Sequence, residues 1–115
     1  MAVLVSEVLT EARQQLNDST ATYRWSDASL MLYMSRGVDD VYGDFPESFF
    51  IDGEKIPISA PEAITAVTED FPLRKEYIEA IVHYICWKVF GEDTEDDGNI
   101  ALSKDHAKQY MQARG

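Results

Sequence analysis

The sequence predicts a mainly α domain, a four-helix, bundle-like fold with a small β-hairpin inserted between helices two and three. Three observations predict it. Apolar residues recur at helical spacing in four separate segments. Asp52-Gly53 stands between two short apolar runs, a strong hairpin turn signal. The chain has 115 residues, 45% of them hydrophobic and 11% aromatic, which suits one folded domain over residues 1–115 and argues against disorder.

The first helix is predicted over residues 3–16. Val5, Val8, Leu9, Ala12 and Leu16 form one stripe, with Glu7, Glu11, Gln14 and Gln15 off it. Asn17-Asp18-Ser19 then favours a turn. The second helix starts at Ser26 as N-cap, with Asp27 in the first turn where negative charge suits the helix dipole. Leu30, Met31, Met34, Val38, Val41 and Tyr42 form its buried face. Gly37 interrupts this helix at a cost of about 1 kcal/mol relative to alanine. It is read as the mark of another helix approaching closely.

The hairpin is expected over residues 49–58, with Pro57 confining its second strand to an edge or to incomplete pairing. A lone hairpin is marginal in water, so it must pack on the helices or gain strands from a neighbouring subunit. Residues 59–70 read as mostly irregular. Pro61-Glu62-Ala63-Ile64 suits a helical turn, whereas Ile64, Thr65, Val67 and Thr68 favour extended chain.

The third helix is predicted over residues 73–90, introduced by Pro72. Ile78, Ile81, Val82, Ile85 and Val89 make its main stripe, expected to pack on Val8, Leu9, Leu30, Met34 and Val38. Tyr77, Ala80, Tyr84, Cys86, Trp87 and Phe90 widen the stripe around most of the circumference. Glu76, Glu79 and His83 are left as a narrow polar strip, which ordinarily meets solvent. A helix apolar on most sides is buried centrally or shared with a partner. The fourth helix, residues 100–112, is expected to be capped by Asn99 and to lie across the surface of the others, because its apolar content is thin.

Charge and motif content narrow the function classes. There are 21 acidic against 10 basic residues, a net charge of −11. Such a surface repels phosphate, which disfavours a DNA-reading or RNA-binding module but not a protein that must tolerate DNA nearby without gripping it. No apolar run approaches the roughly 20 residues of a membrane span, and no membrane partner is expected. The opening Met1-Ala2-Val3-Leu4-Val5 lacks a basic flank and is not expected to be a signal peptide. A single cysteine, Cys86, excludes an internal disulfide and sits among apolar neighbours that would not activate it.

Asp93-Thr94-Glu95-Asp96-Asp97-Gly98-Asn99-Ile100 resembles the start of a calcium-binding loop, but Lys104 stands where a bidentate Glu should close the cage. It is read as a solvated acidic turn without metal. His83 and His106 have no metal-helix spacing and are read as structural. No cofactor, metal or catalytic residue is expected, and the chain is not read as an enzyme.

Three segments carry a family resemblance: the first helix ending in Ala12-Arg13-Gln14-Gln15-Leu16-Asn17-Asp18; Tyr23-Arg24-Trp25-Ser26-Asp27-Ala28-Ser29-Leu30 opening the second; and the late helix pair. In that pair, Pro72-Leu73 precedes the aromatic-rich Tyr77 to Phe90, then an acidic break and a short helix with Ala107 and Tyr110. Together they resemble the head-to-tail connector (adaptor, head-completion) proteins of tailed bacteriophages. Ser35 departs from the pattern, standing where many relatives carry Asn.

The resemblance implies a structural virion protein of the neck, assembled in the host cytoplasm. It implies a homo-oligomeric, dodecameric ring that binds the portal protein, meets tail or neck proteins and extends a channel through which DNA passes without specific binding. The candidate interface residues are Phe49, Phe50, Ile51, Lys55, Ile56 and Ile58 on the hairpin, with Tyr110, Met111 and Arg114 on the last helix. The competing class is a small acidic interaction protein or DNA-mimic regulator.

Overall fold

A computed structural model describes residues 3–16, 25–45, 64–73, 75–92 and 97–114. These form four helices: α1 (Val5–Gln15), α2 (Asp27–Asp44), α3 (Ile78–Glu92, preceded by a 3-10 turn, Lys75–Tyr77) and α4 (Asp97–Arg114). The protein is mainly helical, and the β pairing among the described residues is limited to isolated bridges. The expected hairpin, with Phe49, Phe50, Ile51, Lys55, Ile56 and Ile58, lies outside the described residues. So does most of the acidic turn, residues 93–96.

Helix α3 is the centre, burying nine of its fifteen residues where an amphipathic surface helix would bury one stripe. Helices α1, α2 and α4 all pack on it, α4 most extensively. Ile81, Val82, Ile85 and Val89 are buried as their spacing predicts, together with Val8, Leu9, Leu30, Met34 and Val38. Ile78 is only partly buried. The α3 helix starts later than residue 73, because Leu73 is a buried part of the extended segment before it rather than a first helical turn.

Two helix starts show how local and long-range contacts divide the work. Ser26 caps α2 as expected, its Oγ accepting from the Ser29 N–H at 3.1 Å. Helix α1 begins after Leu4, which has no side-chain oxygen to cap with. Glu7 accepts from the Leu4 N–H at 2.8 Å, and the free helix donors turn to another part of the chain. The Val5 N–H reaches the Glu69 carbonyl at 2.9 Å and the Ser6 N–H the Val67 carbonyl at 3.0 Å. The Phe71 N–H donates back to the Val3 carbonyl at 2.6 Å, beside an antiparallel bridge between Leu4 and Asp70. Residues 64–73 are irregular, as expected, but they dock as the tertiary cap of α1 and contribute buried Ile64, Phe71 and Leu73.

The α2–α3 crossing depends on Gly37. An added Cβ there would lie 2.9 Å from Tyr84 Cδ1 and 3.3 Å from Ile81 Cδ1, so the close approach read from the sequence is present. Ser35, nearby on α2, accepts from the Ile64 N–H at 2.9 Å and ties the irregular segment to the helices. Helix α4 begins at Asp97, which places Asn99 inside its first turn rather than at its cap. Among the described residues, no helix is long and apolar enough to cross a membrane.

Candidate functional site

The interface between α3 and α4 gathers the most unusual chemistry. His83 projects from the middle of α3 and His106 from the middle of α4, and their Nδ1 atoms lie 2.9 Å apart. Both residues are buried, 7% and 6% exposed. The expectation that His83 belongs to a solvent-facing strip is therefore corrected: α4 covers that side of α3. Phe90 stacks on the His106 ring with centroids 5.6 Å apart and planes 13° from parallel. The other nitrogen of His83, Nε2, lies 3.7 Å from the exposed Glu79 carboxylate one turn earlier.

Hydrogen placement in this pair is constrained. A contact between two Nδ1 atoms holds one hydrogen, so the neutral pair needs one ring protonated at Nδ1 and the other at Nε2. Burial, then the neighbouring His83, pushes the His106 pKa below the usual histidine value, against a smaller opposing effect of Asp105. His83 also lines an open groove between α1 and α3, with Glu11, Gln14, Gln15, Ile78, Glu79 and Val82. Two carboxylates, two amides and an imidazole make that groove suited to cationic or hydrogen-bond-donating groups. Among the described residues, no group of three or more His, Cys, Asp or Glu side chains is placed to hold a metal ion.

A second polar cluster joins the ends of α2 and α4. Tyr110 donates its hydroxyl hydrogen to Asp40, and Arg114 pairs with Asp40 at 3.1 Å and Asp44 at 2.6 Å. The Arg114 guanidinium also lies over the Phe45 and Tyr110 rings, 5.7 and 5.6 Å from their centroids. Burial and the Asp40 hydrogen bond both raise the Tyr110 pKa, because each disfavours the phenolate.

This geometry revises part of the expected interface. Tyr110 is 1% exposed and packs edge-on against Tyr84 at 5.2 Å, so it belongs to the chain's own core. The reason is its phenol, which satisfies its polar end on Asp40 while the ring fills space beside α3. Met111 is 56% exposed and stays available for contact. The Arg114 side chain is mostly buried against α2. Cys86 is fully buried, and burial pushes its thiol up to about 12, consistent with a core residue.

Arg13 is the residue whose role the sequence concealed. It is 5% exposed, donates to the Trp25 carbonyl at 2.9 Å and pairs with Asp27 at 2.6 Å. The end of α1 is thereby bound to the start of α2 through one planar guanidinium. No spacing rule marks such a pair, since its members lie on different helices. Compared with protein-family models, with curated proteins and with solved structures, the chain matches none.

Proposed function

We propose that this chain is a structural adaptor of a phage neck, one subunit of a ring that seats beneath the portal and extends the DNA channel. The observation that carries the reading is the Arg13 joint. Two of the segments that bear the connector resemblance, 12–18 and 23–30, meet through it: Arg13 from the first holds the Trp25 carbonyl and Asp27 from the second. The net charge of −11 supports the same role, because an acidic surface repels phosphate and reduces DNA sticking. In this reading residues 49–58 form a hairpin whose Phe49, Ile51, Ile56 and Ile58 are covered by an adjacent subunit or a tail protein. A paired edge strand also satisfies its free backbone groups. Met111 extends the contact surface.

The test uses DNA-filled, tail-less phage heads that display a portal. The wild-type chain is expected to co-sediment with them and to form a ring visible by negative-stain imaging. A folded Phe49→Ser, Ile51→Ser variant is expected to lose attachment. A wild-type chain that stays monomeric or dimeric on such heads, without attachment, would favour the acidic regulator instead. Normal attachment and tail joining by the folded variant would remove the hairpin from the interface.

A further inference from the structure

The His83–His106 contact is built so that it accepts one added proton and has no place for a second. Four ring nitrogens are involved. The neutral pair carries two hydrogens, one between the Nδ1 atoms and one on an Nε2. A first added proton completes the other Nε2 and leaves the 2.9 Å contact intact. A second would put a hydrogen on both Nδ1 atoms, N–H facing N–H, between two cationic rings that are each more than nine-tenths buried.

We propose that this pair is a proton-limited latch: the closed α3–α4 interface holds at most one positive charge, and acid opens α4 from α3 by delivering the second proton. The charged groups around the pair are Glu79 on α3, Glu11 across the groove on α1 and Asp105 on α4. Of these, Glu79 stands 3.7 Å from the His83 Nε2. Glu79 does not relieve the Nδ1 contact, because it faces Nε2 on the opposite edge of the His83 ring. Opening is local by construction. The pair lies between α3 and α4, and the Tyr110–Asp40 and Arg114–Asp44 contacts tether the far end of α4 to α2.

The sign follows from proton counting. The open state binds one more proton than the closed state, so opening is favoured as pH falls below the ordinary histidine value of about 6.5. One excluded proton raises the opening constant about 30-fold at pH 5 relative to pH 7.5. The experiment is hydrogen exchange read by mass spectrometry on the full chain at both pH values, corrected for intrinsic exchange rates. Peptides from α4 are expected to gain about 30-fold in opening, while α1 and α2 peptides do not. In His106→Phe, which keeps the stacking on Phe90, and in His106→Gln, which keeps a partner for His83 Nδ1, the gain is expected to vanish. No selective gain in the wild type, or the same gain in a folded variant, would overturn the latch. Imidazole ¹⁵N shifts of the wild type supply a measure independent of any variant. Both rings fully protonated at a pH where α4 remains protected would overturn it as well.

Discussion

Replacing Gly37 by alanine sets two opposing effects of known size against each other. In a helix interior the change is worth about 1 kcal/mol in favour of alanine. Against it, the new methyl would sit 2.9 Å from Tyr84 Cδ1 and 3.0 Å from Tyr84 Cγ. These atoms are at the root of the ring, not at a flexible tip. The ring is itself held edge-on by Trp87 at 5.5 Å and Tyr110 at 5.2 Å. Forcing a methyl into such a contact costs about 1–3 kcal/mol. The net expectation is a change between neutral and about 2 kcal/mol destabilising. Gly43 lies in the same helix with nothing within 4 Å of its added Cβ. Gly43→Ala is therefore the control, expected to stabilise by up to about 1 kcal/mol. In a Tyr84→Ala background, which removes both the Cγ and the Cδ1 that the new methyl meets, the clash is relieved, and Gly37→Ala should there become stabilising. Urea unfolding of the four corners of this cycle at pH 7.5, followed by circular dichroism, gives the coupling. A Gly37→Ala gain equal to that of Gly43→Ala, or coupling below about 0.5 kcal/mol, would refute the packing argument.

Two further expectations concern the core. Ile85 is fully buried on α3, so Ile85→Ala should cost about 2–5 kcal/mol in urea unfolding, and a loss below about 0.5 kcal/mol would show that the core face has been misassigned. The Cys86 thiol, raised from 9.0 to about 12 by burial, should resist an aromatic disulfide reagent at pH 8 until denaturant is added. The unfolded thiol loses its proton first, so the stability tied to the protonated thiol is fully present below pH 9.0 and lost as pH rises through about 12. Cys86→Ala should flatten that part of the alkaline profile; an unchanged profile would count against the assignment.

How far the sequence could be read depended on the range of the interaction. The stripes of α1, α2 and α3 were legible because helix periodicity places residues three and four apart on one face, whatever else the chain does. The Ser26 cap was legible because its oxygen and its N–H partner are three residues apart. The acidic side of α3 was read correctly at Glu79, which is exposed, and wrongly at His83, one turn later. The two share a strip, and only the path of α4 separates their fates.

By itself, the sequence determined which segments become helices, which face of α1, α2 and α3 is apolar and where a close approach would occur at Gly37. The tertiary structure alone decided three things. It brought the carbonyls of Val67 and Glu69 to the bare N-terminus of α1, joined Arg13 to Asp27, and closed α4 over His83 so that two imidazoles 23 residues apart share one hydrogen. The physical reason is common to all three. An unpaired backbone donor, a guanidinium or an imidazole must find a partner once buried, but its chemistry does not specify which one. That choice falls to whichever distant segment the packing of the apolar faces carries into reach.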